Sequence, residues 1–205
     1  MRVTEKISTK TLGRVAYPPT LAAMRDFNAR RDGSTADELW LLEHSPVYTL
    51  GLAADRAHAP RVPNGIPVIE TERGGEITYH GPGQLVVYTL VDLARRGLKV
   101  KRFVWLLEQA VIDLLGGRGQ RRPGAPGIYM EGAKVAALGI RVSRGCAYHG
   151  LSLNVDMDLA PFAAIDPCGY PGLAVTQTRD LGFDFSVATA GKRLAILLTG
   201  HLDNA

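Results

Sequence analysis

The segment Ala164-Ile165-Asp166-Pro167-Cys168-Gly169-Tyr170-Pro171-Gly172 sets one of the chain's two cysteines between a proline and a glycine. Both neighbours break helices and strands, so the thiol is expected on a turn, exposed and with room to react. A structural cysteine would sit more naturally on a strand or helix. Residue type and setting leave three roles for Cys168: nucleophile, metal ligand or bystander. A free thiol has a pKa of ~8.5, so only a few per cent is thiolate at pH 7. A nucleophilic role therefore needs a nearby cation or base. Lys134 is the one inward-facing cation that the sequence suggests, and His80 and His149 compete with it.

Lys134 lies in Gly132-Ala133-Lys134-Val135-Ala136-Ala137-Leu138-Gly139-Ile140-Arg141-Val142. Alternate residues of a strand share a face, which groups Lys134 with Ala136, Leu138, Ile140 and Val142 on the apolar side. A lysine there is costly unless it is paired or set at a cavity. The alternative is a lysine at the strand's start that snorkels to water. A third stretch runs Arg73-Gly74-Gly75-Glu76-Ile77-Thr78-Tyr79-His80-Gly81-Pro82-Gly83-Gln84, with four glycines in twelve residues. Those glycines let the backbone approach a ligand closely. Arg73, Thr78, Tyr79, His80 and Gln84 supply functional groups, although a glycine-rich loop with one surface histidine is the bland reading. The spacing is neither GxGxxG nor GxxxxGK(S/T), so no nucleotide cradle is expected.

No metal site is expected. Cys146 and His149 stand three apart, but no second close pair completes a four-ligand zinc pattern. His149 reads as a satisfied structural histidine, and Cys146, beside Gly145, as a small packing residue.

Together these stretches resemble the lipoyl(octanoyl) transferase family, octanoyl-acyl-carrier-protein:protein N-octanoyltransferases of the lipoate/biotin protein ligase superfamily. The likeness rests on RGGEITYHGPGQ at 73–84, Lys134 in GAKVAALGIRV, His149-Gly150-Leu151, Asn154-Val155-Asp156 and Pro167-Cys168-Gly169, in that order. Leu41 to Gly51, LLEHSPVYTLG, matches ahead of them, and the likeness spans about 37–180. It implies an α/β (α+β) domain with a mixed, largely antiparallel sheet and flanking helices. It implies Cys168 as the acyl-thioester nucleophile and Lys134 as its activating partner. Arg73, Gly74, Gly75, Glu76, Ile77, Thr78, Tyr79 and His80 would line an acyl pocket with Ala137, Leu138, Gly139, Gly150, Leu151 and Ser152. The implied donor is octanoyl-acyl carrier protein. The implied acceptors are lipoyl domains of 2-oxoacid dehydrogenases and the glycine cleavage H protein, and no cofactor is implied.

The chemistry of the residues agrees with this. Thioester exchange is nearly isoenergetic, and passage of the acyl group to an amine is downhill without ATP. Covalent catalysis splits the transfer in two. Backbone amides of glycine-rich turns near Gly139 or Gly150 would serve the oxyanion. Two other readings compete. An ATP-dependent lipoate or biotin ligase needs no nucleophilic cysteine but needs nucleotide-binding residues that the sequence does not display. A non-catalytic module binding acyl or lipoyl groups, or carrier protein, would leave Cys168 incidental.

Periodicity supplies the elements that must position these groups. A helix is expected over 21–30 after Pro18-Pro19-Thr20, and strands over 38–43 and 47–50 joined by His44-Ser45-Pro46. Further strands are expected over 66–70, 77–79 and 85–93. The apolar stripe of 102–115 at 3.6-residue spacing, closed by Gly116-Gly117, predicts a helix. A meander follows over 127–130, 133–142 and 148–155, and Ser186 caps a last helix to about Leu202.

The chain has 205 residues, 46% of them hydrophobic and 21% charged, which fits one soluble domain over 1–205. No window approaches the ~18 apolar residues of a membrane span, and the charged start MRVTEKISTK is no secretory signal. Two cysteines make no disulfide framework. The expectation is a reduced, cytoplasmic protein, taken as a monomer. The net charge of +4 invites a nucleic-acid reading. The densest cluster, Arg118, Arg121 and Arg122, has no run of aromatics beside it in the sequence, so a nucleic-acid partner is not expected. An acidic protein partner or a plain solvated surface remains.

Overall fold

The computed structural model describes residues 7–55, 65–165 and 172–205. A six-stranded sheet has the order β1-β2-β6-β9-β8-β7, formed by β1 (Ser8–Val15), β2 (Glu38–His44), β6 (Gln84–Asp92), β7 (Gly127–Met130), β8 (Ala133–Ser143) and β9 (Cys146–Asn154). Only β1 runs parallel to its neighbour; the other pairs are antiparallel. A second sheet has the order β4-β3-β5, from β3 (Val47–Leu50), β4 (Val68–Glu70) and β5 (Ile77–His80). The result is the mixed, largely antiparallel α+β architecture expected above.

Both faces of the large sheet are covered, and strand alternation sorts the side chains between them. Leu39, Leu41, Leu85, Val87 and Val91 pack beneath α3 (Val100–Leu114) and α4 (Val187–Asp203). Trp40, Leu42, Val86, Tyr88 and Leu90 pack on the other face beneath α1 (Tyr17–Arg30), against Tyr17, Leu21 and Met24. Tyr48, Leu50, Ile77 and Tyr79 of the small sheet form a third cluster with Met157, Phe162 and Ile165. Phe162 belongs to a 3₁₀ turn, Ala160–Ala164.

Four features differ from the sequence reading. β2 and β3 do not pair; the chain leaves one sheet at Ser45-Pro46 and enters the other. Helix α1 starts at Tyr17, because Pro18 and Pro19 fit a first turn whose N–H groups need no partner. β1 is new: apart from Val15 it is exposed along its length, so it has no alternation to reveal it. Helix α2 (Leu93–Arg96) is a single turn, capped by the Asp92 carboxylate and by Gly97 at φ 65°. Among the described residues no helix is long and apolar enough to cross a membrane.

Candidate active site

Lys134 enters the site from the start of β8. Tyr129 pairs with Lys134 and Ile128 with Ala136, so the register shifts at Val135 and the two-residue alternation does not run through to the lysine. The lysine is nonetheless buried, at 4% exposure, and does not snorkel to water. Its Nζ donates to the Pro126 carbonyl at 3.1 Å and lies 5.2 Å from the Tyr129 ring centre. Gly127, at φ 138°, makes room for it: a Cβ there would stand 2.7 Å from Lys134 Cε and 2.6 Å from the Ala136 carbonyl oxygen. The Lys134 backbone is held on its other side, by its N–H to Ala174 O at 2.8 Å and by Thr176 N–H to its carbonyl at 3.0 Å. Cys168 lies outside the described residues, within 166–171.

Residues 174–176 lead back from that segment into a polar chain. Asn154 Nδ2 donates to Thr176 O at 2.9 Å, and Gln84 Nε2 donates to Asn154 Oδ1 at 2.9 Å. Gln84 Oε1 faces His80 Nδ1 at 2.6 Å. Since that oxygen accepts, the neutral His80 ring carries its proton on Nδ1 and leaves Nε2 as an acceptor. Burial, aided by His44, pushes the His80 pKa down to about 3, so the ring is neutral at physiological pH.

A cleft that is open to solvent, with about 500 Å³ of space between its walls, lies between the two sheets. Arg73, Gly75, Glu76, Ile77, Thr78 and His80 form one wall, and Ala137–Gly139 of β8 with Gly150–Ser152 of β9 form the other. A smaller space of about 290 Å³ shares Thr78, Ala137 and Ser152 with it and extends to Lys134, Gln84 and Asn154. The structure thus brings together two of the three stretches singled out in the sequence.

Gly74 and Tyr79 are not on the lining. Gly74 donates its N–H to Ile140 O at 2.9 Å behind the wall, and Tyr79 turns to Tyr48 and Phe162. Arg73 acts largely on backbone: its guanidinium donates to Thr49 O at 2.6 Å, Glu76 O at 2.7 Å and Gly74 O at 2.9 Å, which fixes the glycine-rich loop.

Gly139 and Gly150 sit opposite each other in mid-strand, not on turns as expected. They are glycine for space. A Cβ on Gly150 would lie 2.1 Å from Val87 O, and one on Gly139 would lie 2.7 Å from Gly74 O. Amides of glycine-rich turns are therefore not found at these two positions.

The remaining lining comes from Tyr17, Val86, Tyr88 and His149. Nothing in the sequence drew attention to the first three as site residues. His149 departs from the satisfied structural histidine expected: among the described residues its buried Nε2 has no hydrogen-bond partner, with Glu72 Oε1 at 3.8 Å. Burial lowers its pKa. Its φ of 62° is left-handed, and the β6–β9 ladder lapses there, between the Tyr88–Gly150 and Val91–Ala147 pairs. Strained backbone of this kind concentrates at functional sites. Tyr88 OH donates to His44 Nε2 at 2.6 Å, since His44 Nδ1 donates to Val15 O at 2.9 Å. Cys146 is buried, and burial pushes its thiol pKa up, as befits a packing residue. Among the described residues no group of three His, Cys, Asp or Glu is placed to hold a metal.

Residues 17–196 match the family described as the lipoyl protein ligase A/B catalytic domain. The chain belongs to this family. The octanoyltransferase of Thiobacillus denitrificans is 61% identical over 188 residues, covering 90% of this chain and 86% of that protein. The octanoyltransferase of Dechloromonas aromatica is 54% identical over 197 residues, covering 95% and 96%. The fold is shared with a lipoate-protein ligase A crystallised with ATP, at TM-score 0.77 and 16% identity, over 96% of this chain and 85% of that one.

Proposed function

We propose that this chain is an octanoyltransferase that moves an octanoyl group from acyl carrier protein to a lysine of lipoyl domains, through a thioester on Cys168. The observation that carries the reading is Lys134, a buried amine lining a space that adjoins the cleft, whose backbone is hydrogen-bonded to Ala174 and Thr176, just after the Cys168 segment. The naming of relatives at 61% and 54% identity supports it.

In the first step the Cys168 thiolate attacks the octanoyl carbonyl and the carrier's thiolate leaves. In the second, the acceptor's ε-amine attacks the Cys168 thioester, an amide forms, and the thiolate is expelled as the amine gives up its proton. As an ammonium, Lys134 stabilises the thiolate; as an amine, it takes the proton of the incoming lysine. The acyl tail occupies the cavity between β5 and the β8–β9 pair. 2-Oxoacid dehydrogenases and the glycine cleavage H protein supply the acceptor domains. Residues 1–205 act as one catalytic domain, as a cytoplasmic monomer.

Incubation with octanoyl-acyl carrier protein, without ATP, followed by intact-protein mass measurement tests this. The expected result is a gain of one octanoyl group in the wild type and none in Cys168→Ser. No adduct in the wild type overturns it, and transfer to a lipoyl domain only when ATP is added supports a ligase instead.

A further inference from the structure

The three arginines that stood apart from aromatics in the sequence are each stacked on a ring in the fold. Arg118 lies 4.2 Å from the Phe183 ring centre, Arg121 4.7 Å from Trp105, and Arg122 4.1 Å from Tyr129. Arg102 covers Trp105 as well, at 4.4 Å. Trp105 nevertheless remains 39% exposed and Val100 45% exposed. Residues 99–122 hold six Lys or Arg against two Asp or Glu, a balance of +4 that equals the net charge of the whole chain.

Lys99 stands at the N-cap position of α3 with no side-chain capping bond, Lys101 and Arg102 follow in its first turn, and that turn has no acidic residue. Cations at this end oppose the helix dipole, so the arrangement works against the helix and adds to an outward positive field.

The patch is joined to the reaction site. The Tyr129 ring under Arg122 is the one over which Lys134 Nζ lies. Arg121 Nε donates to Glu108 at 3.0 Å, and Glu108 Oε1 accepts from the N–H of Gly127, the glycine against the lysine tail, at 3.1 Å.

We propose that the N-terminal end of α3, with Trp105 and the loop after the helix, is the docking surface for the donor: an acidic acyl carrier protein. The proposal rests on the octanoyl-transfer reading above. Geometry favours the donor over the acceptor. A carrier protein presents its acyl group on a long flexible phosphopantetheine arm, so it docks to one side of the cavity and sends the thioester in. An acceptor lysine reaches only one side-chain length, so its domain must sit over the mouth itself. The patch lies to one side, beyond Tyr129 and Gly127. Arginine and an exposed tryptophan are also the residues that interfaces favour at their centres.

The test is a triple variant, Lys99→Glu, Lys101→Glu, Arg102→Glu, assayed with three substrates. We expect KM for octanoyl-acyl carrier protein to rise about tenfold or more, with kcat held within twofold. KM for the lipoyl domain, and the rate of Cys168 acylation by octanoyl-N-acetylcysteamine, should match the wild type. The wild type's KM for carrier protein should climb with salt and the variant's should climb less. Trp105→Ala, which leaves the charges in place, should raise KM for the carrier in the same selective way. An unchanged carrier KM overturns the proposal, as does a rise confined to the lipoyl domain, an equal loss with the small thioester, or loss of RNA binding with carrier KM intact. Failure of the wild type to be acylated by the small thioester would instead strike the octanoyl-transfer reading itself.

Discussion

Replacing Lys134 with methionine separates a lysine that holds the fold from one that activates a thiol. The ammonium is 4% exposed, donates to Pro126 O at 3.1 Å and faces Tyr129 at 5.2 Å. Its removal gives up a charged hydrogen bond of about 1.5–3 kcal/mol and a cation–π contact of about 1 kcal/mol. It also removes the desolvation of a buried ammonium, which is about several kcal/mol. The terms oppose each other, and methionine fills the same space. Stability should therefore change by no more than about 2 kcal/mol, a Tm shift below about 8 °C for a chain of this size.

Activity should change far more. An ammonium about 4 Å from a thiolate, at an effective dielectric of about 20, is worth about 4 kcal/mol, or roughly three pKa units as a ceiling. The assay is alkylation of Cys168 against pH, followed by intact mass, with Cys168→Ser marking the slow background from buried Cys146. The variant's midpoint should rise towards about 8.5, and the loss of thiolate should lower its acylation at pH 7 by up to about thirtyfold. An alkylation profile that matches the wild type would refute the activating role. A Tm loss well beyond about 8 °C would show that the lysine holds the fold.

Gly127→Ala should reach the same site through sterics. The new Cβ would meet Lys134 Cε at 2.7 Å at a φ of 138°, so we expect a loss of about 2–4 kcal/mol and an acylation rate at least about tenfold lower. Gly132→Ala, at φ 85° with open space around it, should lose stability without losing acylation; equal rates for the two variants would refute the packing argument. Stability should also fall in mild acid. Burial holds His80 at about 3 and His44 at about 4, against 6.5 in the unfolded chain. The unfolded chain thus takes up protons that the folded rings refuse, and stability present above pH about 6.5 is lost as pH falls towards 4, by up to about 1.4 kcal/mol per pH unit for each ring. Urea midpoints at pH 7.5 and 5 measure this. His44→Gln should flatten the dependence, and equal wild-type midpoints would contradict it.

Much of the fold was legible because it is written in local periodicity. The 3.6-residue stripe of α3 and the meander of β7, β8 and β9 appear in the sequence nearly at their observed bounds. Periodicity reports that a face is buried and is silent on what buries it. β1 has no buried face and was missed; β2 and β3, joined by only Ser45-Pro46, belong to different sheets, which their patterns do not show. The glycine-rich loop, Lys134 and Cys168 stood out by residue type. That Tyr17, Tyr88 and His149 close the same cavity could not be read, because only the pairing of β6 with β9 and the packing of α1 on that face of the sheet bring them together. Likewise Arg118 and Phe183 are 65 residues apart, and only the packing of the folded chain puts the guanidinium on the ring. The sequence by itself determined which groups are available for chemistry and the periods of the elements that bear them. Tertiary structure alone decided which groups share a wall, which amine is buried beside the cavity, and where the positive charge collects, because those depend on contacts between residues far apart along the chain.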